Sequence, residues 1–280
     1  MTNYRGLHSC EVFVTVVDEF PELERQLRDL MFLQERGVRI SVLLNAPLAA
    51  VPEELLTTFP STRFLPSEKF LPADENWQRV VDHLESDWFK IVCVDDHVSQ
   101  VGMERECDLM ASHPLEGVSL IVGQRKVRFG GEQHEPKDSA VKRPIRVRGT
   151  KLRVLQKLLA RNFLGEPFAL WINASKFRKT TGFLFPLSTP GVPFLIDFHM
   201  SQSLLNYGDV VFSRSEVGSF AVHSKSTSVR LGGRQLSQVR EYYLLLREQG
   251  SVGFPSYYLA LTSAAVQVAI RVTLYRLKLR

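Results

Sequence analysis

The sequence predicts an α/β fold: a mixed, mostly parallel sheet flanked by helices, with a helical extension at the C-terminus. Three observations predict it. Between Cys10 and Gly123 short apolar runs alternate with stretches of helical periodicity, the pattern of a layered nucleotide-binding α/β unit. The apolar run Phe89–Val94 stops at two adjacent carboxylates, Asp95 and Asp96. A strand apolar on both faces is buried between layers, and the carboxyl edge of such a sheet is where ligands bind. From Leu236 onward two long helical patterns, Leu236–Gln249 and Ser256–Leu279, close the chain.

Cys10–Val17 forms the first buried strand. The loop Asp18-Glu19-Phe20-Pro21 then enters a helix with Leu23, Leu27, Leu30 and Leu33 on one side, where Pro21 suits the first turn. Val38–Leu44 is the second strand, and the β-α-β order with short connections makes a right-handed parallel crossover. A short helix over Pro52–Phe59 and a strand at Arg63–Leu65 follow. Trp77, Val80, Val81 and Leu84 recur at helical spacing ahead of the Phe89–Val94 strand. A helix over Met103–Ser112 and a strand over Gly117–Gly123 complete the first half. Beyond Arg125 the alternation breaks. Phe129–Ser139 and Thr180–Pro193 are loops, Thr150–Arg161 and Ile196–Asn206 helices, and Phe168–Ile172, Val210–Phe212 and Phe220–His223 strands.

With 280 residues the chain can bury a large core, and 44% hydrophobic with 23% charged residues is ordinary for a globular protein. Cys10, Cys93 and Cys107 are too few and too scattered for a disulfide framework or a zinc ribbon. No basic-then-apolar leader opens the sequence, and no uninterrupted apolar run has the length of a bilayer span, so a cytoplasmic location is expected. The net charge of +5 is unevenly spread: Lys142–Arg161 holds eight Lys or Arg and no carboxylate, and no acidic residue follows Glu248. Such blocks suit phosphate-bearing ligands or an anionic membrane surface, and no nucleic-acid-binding motif accompanies them.

Two adjacent carboxylates beside His97 repel each other unless a cation or a proton offsets the charge, and a divalent metal holding a diphosphate would do so; a solvated acidic turn is the alternative. No Gly-x-Gly-x-x-Gly follows the first strand and no P-loop is present, which argues against dinucleotide oxidoreductases and phosphate-loop NTPases.

Five motifs in order then resemble a family 2 glycosyltransferase with the GT-A fold, over about the first 230 residues. They are Glu19-Phe20-Pro21-Glu22-Leu23 after the first strand; Asn76-Trp77 followed by Trp88-Phe89-Lys90-Ile91-Val92-Cys93-Val94-Asp95-Asp96; Asn162-Phe163-Leu164-Gly165-Glu166-Pro167-Phe168-Ala169; Asp197 ahead of Gly208-Asp209-Val210-Val211-Phe212; and Phe220-Ala221-Val222-His223-Ser224. The second is similar to a subgroup whose strand ends Cys-x-Asp-Asp. The sequence departs from the family where Asn45 follows the second strand, where Ala221 stands for an arginine, and at Phe198-His199.

The resemblance implies a catalytic domain over 1–230, with a nucleotide-binding half over about 1–124 and an acceptor half over about 125–230, and a helical extension over 231–280. It implies an inverting transfer of sugar from a nucleoside-diphosphate-sugar, a UDP-sugar first, to a glycan or lipid-linked acceptor in cell-surface polysaccharide or glycan assembly. A GT-A module that binds nucleotide or glycan without turnover is the alternative. By position Asp197 matches the catalytic base, although an aspartate capping a helix would stand in the same place. Asp96 with Asp95 would hold Mg²⁺ or Mn²⁺ and through it the diphosphate. His223 would complete that site, or serve only as a hydrogen-bonding histidine. Val17, Glu19, Asn45, Asn76 and Arg79 would surround the nucleoside, whereas Trp77 is read as core. Two readings stand for Ser256–Arg280: a basic interfacial helix making peripheral membrane contact, or a helix packed on its own domain or on a homodimer partner.

Overall fold

A computed structural model describes residues 8–129, 143–184, 195–224 and 226–278. The expected loops over 130–139 and 185–193, and Lys142 of the basic block, lie outside the described residues. The first half runs β1 (Cys10–Val16), α1 (Phe20–Glu35), β2 (Arg39–Leu44), α2 (Glu53–Thr58), β3 (Arg63–Leu65), α3 (Ala73–Gln78), α4 (Val80–His83), β4 (Trp88–Cys93), β5 (His97–Val98), α5 (Gln100–Ser112) and β6 (Val118–Phe129). The second half adds β7 (Ile145–Val147), α6 (Gly149–Leu159), β8 (Leu170–Asn173), α7 (Ala174–Phe177), α8 (Ile196–Leu204), β9 (Asp209–Val222), α9 (Thr227–Leu231), α10 (Arg234–Glu248) and α11 (Phe254–Lys278).

The described strands form one nine-stranded sheet in the order β3-β2-β1-β4-β8-β6-β9-β5, with β7 on β9. Parallel ladders join β1 to β2 and β4, β2 to β3, and β6 to β9, while β8 runs antiparallel between β4 and β6. Alternation along β1 sorts the core into two layers. Val12 and Val14 pack with Leu23, Leu27 and Leu30 of α1 and Met103 of α5; Phe13 packs with Phe89, Phe177 and Met200 of the opposite layer. Trp77 joins that second layer, its ring edge-on to Phe183 with centroids 5.7 Å apart. A third apolar cluster seats α10 and α11 on α8 through Phe198, Tyr242, Tyr243 and Ala260.

Three features differ from the sequence expectation. Val210–Phe212 and Phe220–His223 belong to one strand, the 14-residue β9. The polar segment between them looks like a loop, yet Ser213, Ser215 and Ser219 are buried in the sheet, and the β6 register slips beside it. Such bulges keep a strand running through an irregular stretch. Gly218 is required there, because its φ is +148° and a Cβ would lie 1.9 Å from the His97 carbonyl oxygen of β5. Secondly, the helix leading to β4 breaks at Arg79 into α3 and α4. Thirdly, β4 is not wholly apolar: Lys90 is fully buried with Glu106 of α5, their charged atoms 3.0 Å apart, and it also donates to the Phe168 carbonyl at 2.8 Å.

His199 ties α8 to the C-terminal helices, with Nδ1 3.1 Å from the Tyr242 hydroxyl and Nε2 3.1 Å from Thr181 Oγ1. Burial lowers its pKa from 6.5 to about 4. The folded state therefore binds this proton less readily than the unfolded chain. Its contribution is whole above pH 6.5 and is lost as pH falls toward 4. Thermal melts are expected to show a loss of about 1–3 kcal/mol over that window, and His199→Gln to flatten it. An equal acid dependence in His199→Gln would assign the loss to other groups.

Candidate active site

The turn after β4 is locked from within. The Asp96 amide donates to the Cys93 carbonyl at 3.0 Å, and the Cys93 amide donates to Asp96 Oδ2 at 3.1 Å. Arg25 of α1 holds the same turn from outside, donating to the carbonyls of Val94 at 2.8 Å and Asp96 at 3.4 Å. Asp96 is consequently buried, and among the described residues its Oδ1 has no hydrogen-bond partner. Burial pushes its pKa well above the usual carboxylate range, the Asp95 charge adds to the rise, and Arg128 and Arg25 oppose it. Asp95 points outward, where its Oδ2 lies 3.1 Å from His223 Nε2; both side chains are about two-fifths exposed. The ladder explains this meeting of residues 128 positions apart: β9 ends at Val222, paired with Phe129 of β6, and carries His223 to the end of β4.

Asp197 sits in the first turn of α8. Its Oδ2 accepts from Asn162 Nδ2 at 2.7 Å and its Oδ1 from the Phe198 amide at 2.8 Å. Asn162 is fixed in turn, since its Oδ1 accepts from the amides of Leu164 and Gly165 at 3.0 and 3.1 Å. Arg125 of β6 covers that turn and pairs with Glu166, an approach open because a Cβ on Gly165 would lie 2.7 Å from its guanidinium. Burial raises the Asp197 pKa; Asn162, the Phe198 amide, Arg125 and Arg271 of α11 hold it down. A carboxylate pulled both ways in this manner suits proton transfer. Arg125 acts on Asp197 and Arg128 on Asp96, and the two arginines lie three residues apart on β6, roughly 10 Å along the strand.

The expected nucleoside residues lie at the carboxyl ends of β1 and β2 and at the α3–α4 junction, tied to backbone groups. Asn45 is buried and exchanges two hydrogen bonds with the backbone of Leu71, each 2.9 Å. Arg79 donates to the carbonyls of Leu44, Leu65 and Pro66 at 3.2, 2.8 and 2.5 Å and to Asn76 Oδ1 at 2.9 Å. The Arg79 break in the helix thus lets one guanidinium cap the carboxyl ends of β2 and β3. Asn45, Asn76 and Arg79 together shape that edge. Glu19 folds back so that Oε2 accepts from the amides of Val17 and Asp18, both at 3.3 Å, leaving this loop at the surface.

Of the predicted residues, the structure brings Asp95 and His223 into contact, sets Asp96 beneath them and holds Asp197 on the neighbouring helix. Sequence reasoning missed Arg25, Arg125, Arg128 and Arg271. It looked for cations in the basic block, whose Arg146 instead pairs with Asp209 at 2.9 Å. Arg125 and Arg128 are charges at the end of an apolar strand, Val118–Phe129. Among the described residues no group of three or more His, Cys, Asp or Glu forms a metal-holding cluster. The donors present are nonetheless hard carboxylate oxygens and one imidazole, with Asp96 Oδ1 orphaned, a partial set that diphosphate oxygens and water would complete for Mg²⁺ or Mn²⁺.

Comparison with solved structures settles the architecture. TarS 1-349 from S. aureus superimposes with a TM-score of 0.54 at 12% identity, covering 84% of this chain and 64% of that one. The mannosyltransferase PcManGT from Pyrobaculum calidifontis, solved with GDP-Man and Mn²⁺, gives 0.57 at 12% identity, covering 94% and 70%. Glucosyl-3-phosphoglycerate synthase from Mycobacterium tuberculosis, solved with Mn²⁺, UDP and glucosyl-3-phosphoglycerate, gives 0.53 at 14% identity, covering 89% and 83%. The fold is GT-A. The chain spans just under two thirds of the TarS 1-349 structure and 39% of the longer TarS chain. No family model and no curated protein sequence matches it.

Proposed function

We propose that the protein is an inverting glycosyltransferase, moving a sugar from a nucleoside-diphosphate-sugar to a hydroxyl of a glycan or lipid-linked acceptor in cell-surface glycan assembly. The reading rests on Asp95, Asp96 and His223 at the carboxyl end of β4 and on Asp197, held by Asn162 in the first turn of α8. The GT-A fold supports it, as do neighbours solved with UDP-GlcNAc and with GDP-Man. Asp197 accepts the acceptor hydroxyl proton as the new oxygen–carbon bond forms, while the anomeric carbon–oxygen bond breaks and its electron pair leaves with the diphosphate. Asn162 keeps the carboxylate aimed during that transfer. Asp95, Asp96 and His223 would hold Mg²⁺ or Mn²⁺, which when bound offsets charge on the leaving diphosphate. A UDP-sugar is the first donor to test.

A nucleotide- or glycan-binding module without turnover is the second reading, favoured by the commitment of Asn45 and Arg79 to backbone carbonyls and amides. Thermal shift with UDP and GDP, each with and without Mn²⁺, tests the shared premise. A nucleotide bound only by the folded state adds about 2.7 kcal/mol at a hundredfold excess over its Kd. The rise in Tm is expected with Mn²⁺ and absent in Asp95→Asn. No shift with either nucleotide would count against the transferase and against a nucleotide-binding module, and leave only a glycan-binding one.

A further inference from the structure

We propose that the outward face of α11 is an interfacial docking surface for an anionic phospholipid bilayer. This inference is independent of sugar transfer and stands or falls without it. α11 has two unlike sides. Tyr257, Ala260, Ala264 and Val268 form its buried stripe. The same side is fastened by polar contacts: Ser263 Oγ and Gln267 Nε2 donate to the Leu159 carbonyl of α6 at 2.7 and 2.9 Å, Arg271 to Gln235 Oε1 of α10 at 2.6 Å, and the Tyr275 hydroxyl to Ser228 Oγ at 3.1 Å. The opposite side is apolar and open: Leu259, Val266, Ile270 and Leu277 are 50%, 55%, 56% and 69% exposed. From Leu259 to Leu277 this face runs about 27 Å at the helical rise per residue. Scattered apolar residues on a surface need no explanation, but four large ones on one helix face, with only threonines between them, do.

Contrary to the expectation from the sequence, Phe254–Tyr275 is long and apolar enough to cross a bilayer by length and composition. Its fastened side argues against crossing, because Ser263, Gln267 and Arg271 are committed to α6 and α10. A helix packed on its own domain along one side and apolar along the other lies in the plane of an interface. The charge identifies that interface. No Asp or Glu follows Glu248, while Arg276, Lys278 and Arg280 do, beyond the Arg271 that turns onto α10. Arg247 is exposed beside the helix entry, its guanidinium 5.1 Å from the Phe254 ring centroid, and Lys278 is exposed at the other end. Basic residues flanking an apolar helix face match an anionic lipid surface, whereas a second copy of this chain would bring the same positive charge against itself.

The test is flotation of the full chain with vesicles of phosphatidylcholine alone and of phosphatidylcholine with phosphatidylglycerol. Binding is expected on the mixed vesicles, weaker by at least roughly tenfold on the neutral ones and at about 0.5 M salt. Val266→Asp/Ile270→Asp is expected to lose binding by at least roughly tenfold with an unchanged Tm, since both side chains are exposed. Leu259→Asp supplies a second, independent substitution on the same face. Absence of vesicle binding, or binding indifferent to these changes, would overturn the proposal. So would a dimer in light scattering that the double substitution dissociates without any vesicle binding, which would make the face a contact between copies.

Discussion

Asp197→Asn is expected to lower the rate of sugar transfer by roughly 10²–10⁴-fold while leaving nucleoside diphosphate affinity within about twofold. The substitution keeps the shape of the side chain and one oxygen, so the bonds to Asn162 Nδ2 or the Phe198 amide can be retained in part, but the group can no longer take a proton. A purely structural role predicts the reverse. Removing a carboxylate from the first turn of α8 would then cost about 0.3–1 kcal/mol through the helix dipole and leave turnover unchanged in the folded fraction. Nucleoside diphosphate release, measured beside the melting temperature, separates the two. Asn162→Ala is a useful companion, since loss of the 2.7 Å bond frees the carboxylate to titrate higher and should shift the pH profile upward before it abolishes activity.

Glu106→Gln and Lys90→Met are each expected to destabilise the fold by about 3–5 kcal/mol, and the double variant by much less than their sum. Both charged atoms are fully buried, so removing one partner strands the other out of water. The pair also has a structural address: Lys90 donates to the Phe168 carbonyl ahead of β8, and Glu106 Oε1 accepts from Ser213 Oγ in the bulge of β9. Burial pushes the Lys90 ammonium down and the Glu106 carboxyl up, and each charge counteracts the shift of the other. Lys90 lies three residues before the end of β4, so the pair braces the strand that delivers Asp95 and Asp96. Chemical denaturation of the three variants measures the coupling. Additive losses would mean that the two side chains contribute separately.

The parallel half of the molecule was legible because its elements follow from local pattern. The spacing of Leu23, Leu27 and Leu30 marks α1, and the apolar run before Asp95 marks β4. What could not be read locally depends on pairing between distant residues. The Ser213–Ser219 stretch separates two short apolar runs in the sequence, and only its pairing with β6 joins them into one strand. Arg79 is a nucleoside candidate by resemblance, and the bonds it gives to the ends of β2 and β3 form only in the folded chain. The site divides in the same way. Asp95, Asp96, His223 and Asp197 were marked by their motifs, whereas the arginines around them were not, since Arg25, Arg128 and Arg271 reach the acids from three separate elements.

A structure determined with Mn²⁺ and a nucleoside diphosphate tests the central claim most directly. The account predicts the cation bound directly by Asp95, the diphosphate bridging from it, and the 3.1 Å contact between His223 and Asp95 exchanged for contacts to the ligand. Nucleotide bound away from the end of β4, with His223 still on Asp95, would contradict it.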